Sequence, residues 1–302
     1  MNLISVHSKN QLLTAIILKQ YFYGTTPIDI LIWNSFPDAH GLYKRLESSN
    51  IFNRAYLIED WAIELPITLR YKWYREVILG VSAYNKDSMV RTALQETNKY
   101  LTVSFFEDSP NIYTATNLSA NKVFVFNKAK FLLPISAYEL PGVITASILD
   151  ICNFVFGYMR ESALSRYDNI VLAVKHPGRV EEAGVINRYQ NMVHPPFVIA
   201  VEGALAHRFV GQSINVLLTD YPLPLLYANG DLAGKKLFVY EPLAVENLSL
   251  LLAMGVKVCI YLQAGATLNY KHVESLMRIF KDCKNVIFTD SITKLNGIME
   301  EL

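Results

Sequence analysis

NLISVHSKNQLLTAIILKQYFYGTTPIDILIW, residues 2–33, carries the first decision about the fold. Its two ends, NLISV (2–6) and IDILIW (28–33), are short apolar runs rich in β-branched residues, the pattern of strands buried on both faces. Between them NQLLTAIILKQYF (10–22) places apolar residues at helical spacing. Strand, helix and strand in this order form a βαβ unit and call for a parallel sheet.

The same alternation runs on in both halves of the chain. HGLYKRLESSN (40–50) reads as a helix and RAYLIED (54–60) as a strand. A longer helical region is expected around LRYKWYREVILGVSAY (69–84), and DSMVRTALQETNKYLTVSFFED (87–108) reads as a helix feeding a strand. Residues 121–142, NKVFVFNKAKFLLPISAYELPG, mix a short strand with prolines and hold no sustained period, so the domains are expected to be 1–142 and 143–302. A second series follows: strand-like YDNIVLAVKHP (167–177), QSINVLLTD (212–220), KKLFVYEP (235–242), VKVCIYL (256–262) and KNVIFTD (284–290). PPFVIAVEGAL (195–205) reads as a strand or a helix start, and VENLSLLLAM (245–254) and HVESLMRIF (272–280) as helices. The expected fold class is α/β, with two Rossmann-like αβα domains facing each other across a cleft and ligands beyond the carboxyl ends of the strands.

Bulk composition agrees with that architecture. The chain has 302 residues, beyond the size at which one hydrophobic core usually stops growing. It is 52% hydrophobic and 18% charged, so two buried sheets are affordable and disorder is excluded. A formal net charge of +1 supplies no field to collect a polyanion, so nucleic acid is not the expected partner. Cys152, Cys259 and Cys283 lack the close pairing of a zinc site and suit a reducing compartment. The N-terminal residues have no signal-peptide pattern, and the expected location is cytoplasmic. PGVITASILDICNFVFGYM (141–159) is interrupted by Asp150 and Asn153, too polar for a membrane span, and reads as a buried or interfacial helix.

Three polar pairs stand at strand ends, where an α/β fold binds ligands. Glu107-Asp108 follows VSFF, His176-Pro177 follows IVLAVK, and Thr219-Asp220 follows INVLL. Adjacent carboxylates resist joint ionisation, so one member of the first pair is suited to accept a proton. A histidine can donate to a departing oxygen, and a threonine hydroxyl can hold phosphate. Together they suit displacement of a phosphorylated leaving group by a hydroxyl. His7, His40, His194, His207 and His272 are read as solvated or structural. No metal motif, Walker loop, dinucleotide fingerprint or nucleophile elbow occurs.

This constellation resembles the bacterial sialyltransferases of glycosyltransferase family 52, which carry an acidic pair, an HP motif and a Ser/Thr motif in this order. VHSKNQLLTAIIL also resembles that family's first strand and helix, with Gln11 facing the nucleotide. Ser109 stands where the family has glycine, and Asp220 where a second small residue is expected. The resemblance implies a GT-B-like fold with an acceptor-side first domain and a nucleotide-sugar-binding second domain. It implies metal-independent, inverting transfer of a sialic or related nonulosonic acid from its CMP conjugate to a sugar hydroxyl, in bacterial capsule or lipooligosaccharide synthesis, with no cofactor besides that donor. Asp108 would be the base, His176 would donate to the leaving phosphate, and Thr219 would bind it. Glu107, Ser109, Gln11, Pro177, Glu202 and Asp220 would complete the substrate site. Two alternatives stay open: a GT-B enzyme using a nucleotide diphosphate sugar, and a non-catalytic carbohydrate-assembly protein of the same fold. Trp61, Tyr71, Trp73 and Tyr74 are read as core or interface in preference to sugar-stacking residues, and a lipid-linked acceptor would bring the protein to a membrane surface. Oligomeric state is open.

Overall fold

The computed structural model describes residues 1–81, 84–108, 110–113, 118–159, 164, 166–173, 197–200, 216–219, 221–230, 232, 234–239, 245–261, 270–291, 293–294 and 297–298. The chain divides into two units, Met1–Tyr158 with Ala244–Leu250, and Met159–Leu243 with Leu251–Leu302.

In the first unit seven strands form one parallel sheet: β1 (Asn2–Val6), β2 (Ile28–Asn34), β3 (Arg54–Glu59), β4 (Glu76–Gly80), β5 (Thr102–Phe106), β6 (Lys122–Val125) and β7 (Ser136–Glu139). Their order is β3-β2-β1-β4-β5-β6-β7. Helices α1 (Lys9–Leu18), α2 (Ala39–Ser49), α3 (Ile67–Arg70), α4 (Tyr84–Thr97) and α5 (Ala146–Phe156) cover it. The expected βαβ unit is β1-α1-β2, with Asn2 opposite Ile28. Apolar on every side, α1 buries Leu12, Leu13, Ala15, Ile16, Ile17 and Leu18 completely, as a helix in the middle of a core must. One face of the sheet packs Leu3, Leu31, Trp33, Val77, Leu79 and Val103 with Val90 and Leu94 of α4.

Two expectations are corrected here. Residues 69–84 are not one helix: α3 is a single short turn, and EVILG is β4, at the centre of the sheet between β1 and β5. All five of its residues are buried. With no exposed face the run has no alternation, so periodicity could not separate strand from helix. The second concerns the crossing between the units. Residues 121–142 hold β6 and β7, the last strands of this sheet, and α5 packs against α2 and α1. The first unit therefore extends through Tyr158, past the expected boundary at 142.

The second unit also holds one parallel sheet, of β8 (Asn169–Ala173), β9 (Phe197–Ala200), β10 (Val216–Leu218), β11 (Lys236–Val239), β12 (Lys257–Tyr261) and β13 (Val286–Thr289), ordered β10-β9-β8-β11-β12-β13. Helices α6 (Leu223–Ala228) and α8 (Tyr270–Phe280) belong to it, and α7 (Val245–Ala253) spans the boundary at Leu250. PPFVIAVEGAL resolves as a strand over Phe197–Ala200. α8 is amphipathic as its sequence predicts, burying Leu276, Ile279 and Phe280 and exposing Met277 and Arg278.

In each sheet the strand order reverses once, at β1/β4 in the first unit and at β8/β11 in the second. Such switch points open a crevice at the carboxyl edge, because the connections on either side leave in opposite directions.

Candidate functional site

Register places a cluster of polar residues at the first unit's switch point. Ile4 lies opposite Ile78, and Gly80 opposite Phe106, so β1, β4 and β5 end close together. The next residues along each strand are His7, Val81, and Glu107 with Asp108. Gln11 joins them from the first turn of α1, whose N-cap Ser8 accepts a hydrogen bond from the Gln11 amide (3.1 Å).

Gln11 and Asp108, both named from sequence, are brought together. Gln11 Oε1 accepts from the His7 backbone N–H (2.5 Å), and Gln11 Nε2 donates to Asp108 Oδ2 (2.7 Å). Asp108 Oδ1 accepts from the Val81 N–H (2.8 Å). This chain of bonds ties the ends of β1, β4 and β5 to the start of α1. Gly80 leaves the room it needs: a Cβ there would lie 2.3 Å from Asp108 Oδ2. Asp108 is 7% exposed, and both of its oxygens hold protein donors.

Glu107 is fully buried. Its Oε2 accepts from Tyr113 Oη (2.5 Å) and the Phe126 N–H (2.6 Å), and its Oε1 accepts from Ser249 in the first unit's part of α7 (3.3 Å). Burial pushes its carboxyl up to about 7, against the pull of these donors. The acidic pair is therefore a buried junction of backbone and side-chain donors, not a strand end meeting water.

The group that sequence reasoning passed over is His7. Its Nε2 lies 2.8 Å from Asp87 Oδ1, on the first turn of α4, and its ring stacks on Trp33 with centroids 5.2 Å apart and planes 13° apart. Ser35 Oγ donates to its backbone oxygen (2.9 Å), so its main chain is held at both N–H and C=O. The His7 side chain is 10% exposed and that of Asp87 is 5%. Burial raises the Asp87 carboxyl, and the bond and charge of His7 draw it back down. A carboxylate acceptor at Nε2 keeps the imidazole proton there and leaves the Nδ1 lone pair to accept another. Lys86, the neighbour of Asp87, pairs with Asp60 and lies over the Trp33 ring, which closes the surroundings of the dyad. The signal for His7 was present in sequence, because it follows a strand as the other candidates do. Its partner was not legible, lying 80 residues away inside a helix.

Among the second unit's candidates Thr219 is described. It follows β10, is nearly buried, and its hydroxyl accepts from the Tyr221 N–H (3.0 Å), closing the turn into α6. Ser109, His176, Pro177, Glu202 and Asp220 lie outside the described residues. Among the described residues no three His, Cys, Asp or Glu side chains gather as a metal site requires, and no helix is long and apolar enough to cross a membrane. Of the four aromatics read as core or interface, Tyr74 is buried in the core, whereas Trp61, Tyr71 and Trp73 are exposed.

No family model and no curated protein matches this sequence. Solved structures do. UGT89C1 of Arabidopsis thaliana, complexed with UDP-L-rhamnose, is similar with a TM-score of 0.57 at 9% identity, over 99% of this chain and 89% of that one. Alr3699/HepE of Anabaena, in complex with UDP-glucose, gives 0.52 at 11% identity over 99% and 88%. The calicheamicin glycosyltransferase CalG4 gives 0.51 at 7% identity over 95% and 85%. These likenesses show the fold, GT-B, with an all-parallel sheet in each unit.

Proposed function

We propose that the protein is an inverting glycosyltransferase that moves a sugar from a nucleotide diphosphate sugar to an acceptor hydroxyl, with His7 as general base. The observation that carries this reading is the His7–Asp87 pair at the switch point of the first sheet. In the reaction the acceptor oxygen forms its bond to the anomeric carbon as the bond to the departing nucleotide phosphate breaks, and the hydroxyl proton passes to His7 Nδ1. Asp87 holds the ring and stabilises the imidazolium that results. Transfer of one proton to one positioned base, with backside attack, gives inversion.

The donor class is supported by the fold neighbours, since the UGT89C1 and HepE structures hold UDP-L-rhamnose and UDP-glucose. The acidic pair supports a second reading, a CMP-nonulosonate donor with Asp108 as base, His176 on the leaving phosphate and Thr219 as a phosphate ligand. Its acceptor would be a glycan of capsule or lipooligosaccharide assembly, carried on a lipid at the cytoplasmic face of a membrane. The hydrogen bonds from Gln11 and Val81 occupy the oxygens that Asp108 would need for that work, and the Thr219 hydroxyl is engaged in its own turn, which favours the first reading.

Thermal melting with UDP, CDP and CMP, followed by donor turnover with UDP-sugars and CMP-linked nonulosonic acids, tests both. The proposal expects protection by UDP and release of UDP from a UDP-sugar. Protection by CMP alone, with turnover of a CMP donor, replaces it with the second reading. Protection by no nucleotide leaves a carbohydrate-assembly protein without transferase activity.

A further inference from the structure

The amino ends of the first unit's strands, at the edge of the sheet opposite His7, carry a second feature. Asp29, fully buried at the start of β2, accepts from Lys72 Nζ (2.6 Å), Tyr74 Oη (2.7 Å) and Asn53 Nδ2 (2.8 Å). With Lys72 and Tyr74 drawn inward, the alternate residues Tyr71 and Trp73 face out, 70% and 63% exposed. The next loop is fastened alongside. Asn98, buried, donates from Nδ2 to the Tyr74 backbone oxygen, and Thr97 Oγ1 donates to that of Arg70 (3.0 Å). Lys99 and Tyr100, the latter 84% exposed, follow directly on this loop, which is tied to the backbone on both sides of Trp73. Arg75, one residue before β4, bonds through its backbone to Met1 and Thr102, and Arg54 opens β3 opposite Asp29.

This end of the sheet therefore exposes three aromatics, Tyr71, Trp73 and Tyr100, among three exposed cations, Arg54, Arg75 and Lys99. None of the three cations has an ion-pair partner among the described residues. Of the acids nearby, Asp29 is engaged by Lys72 and Glu96 by Arg70 (2.6 Å), and the exposed Glu64 faces Arg70. Tyrosine and tryptophan are the side chains that settle at the boundary between lipid headgroups and acyl chains, and unpaired cations beside them are drawn to an anionic surface.

We propose that this face docks the protein on an anionic lipid bilayer. The docking goes beyond the transfer reading, because it uses the opposite end of the strands and none of the site residues. The full chain sediments with vesicles of phosphatidylcholine and phosphatidylglycerol, weakly with phosphatidylcholine alone, and less as salt rises. Arg75→Gln with Lys99→Gln lowers the partition coefficient about fivefold for each cation removed. Trp73→Ala with Tyr100→Ala abolishes the residual binding at high salt, while melting temperature and nucleotide protection stay as in the wild type. Equal partition into both vesicle types, or none at low salt, overturns the proposal. So does a concentration-dependent dimer in sedimentation velocity that Trp73→Ala with Tyr100→Ala dissolves, which would make the face a contact between copies of this chain.

Discussion

His7 Nε2 sits 2.8 Å from Asp87 Oδ1, so a residue one step beyond β1 is held by the first turn of α4 while its ring lies flat on Trp33. Two ring contacts, from α4 and β2, fix the ring plane, which is the condition for a base that must meet a hydroxyl in one orientation. His7→Ala is expected to lower kcat by about 10²- to 10⁴-fold. Donor KM and nucleotide protection should change little, since the ring is assigned to proton transfer and not to the nucleotide. Asp87→Asn keeps the shape but lets the imidazole take the other tautomer, and should lower kcat as well. Steady-state kinetics of both variants decide the matter: an unchanged kcat in His7→Ala removes the dyad from the mechanism.

Asp108 has a different expected role. Its two oxygens receive Gln11 Nε2 and the Val81 N–H, and Gln11 in turn receives the His7 N–H, so Asp108 positions the loop that carries the base. Asp108→Ala leaves two buried donors without acceptors, each worth about 1–3 kcal/mol. Gln11→Ala breaks the same chain one link earlier. The two variants should lose activity to a similar degree, and the double variant should lose less than their sum. A loss in Asp108→Ala that far exceeds that in Gln11→Ala would instead mark Asp108 as the base. Gly80→Ala probes the same network without removing a polar group. Its Cβ would lie 2.3 Å from Asp108 Oδ2 and 2.9 Å from Gln11 Nε2. A destabilisation of about 1–3 kcal/mol is expected in chemical denaturation.

The elements that sequence disclosed are those whose pattern is complete within a few residues. NLISV and IDILIW show themselves as strands because apolar β-branched runs on either side of a helical period have no other economical arrangement. EVILG was hidden because burial on every side erases alternation, and because a neighbouring aromatic stretch extended the apparent helix. The α5 run was legible as a buried or interfacial helix and proves to bury one face, Ile148, Cys152 and Val155, but nothing local says which sheet it covers. The strand-end rule found Asp108 and the family resemblance named Gln11, two residues whose contact is real, and both missed the His7–Asp87 pair, which only the closing of the sheet creates. Trp73 was read as core or interface, with no way to choose between them locally. Its outward direction is set by Asp29 drawing in its neighbours, a long-range contact with no trace in the local sequence.

Asp29 itself yields a stability prediction. It is a fully buried carboxylate with three donors, among them the Lys72 ammonium, which also lies over the Tyr56 and Tyr74 rings. Removing one member of such a pair leaves the other charge uncompensated, at a cost of about 3–5 kcal/mol. Asp29→Ala is expected to lose that much in urea unfolding. Asp29→Ala combined with Lys72→Met should be less destabilised than Asp29→Ala alone, because the stranded ammonium is gone. A double variant that is worse than the single one would mean that Lys72 stabilises through its ring contacts and not through its charge.

Glu107 gives the fold a pH dependence whose sign follows from its surroundings. Burial holds its carboxyl at about 7, above the ordinary 4.5. Between those values the folded protein retains a proton that the unfolded chain has released. Stability from this group is thus complete below about pH 4.5 and declines as the pH rises through 7, by about 3 kcal/mol in total. Asp87 is shifted in the same direction by the same cause, so the wild-type slope has more than one source. Glu107→Gln isolates the first. Its amide keeps an oxygen for Tyr113 or the Phe126 N–H and carries no titrating proton. Melting temperatures recorded from pH 4.5 to 8 should fall more steeply in the wild type than in Glu107→Gln, the two curves diverging as the pH approaches 7. Parallel curves would show that the Glu107 carboxyl ionises at its ordinary value, with its donors outweighing its burial.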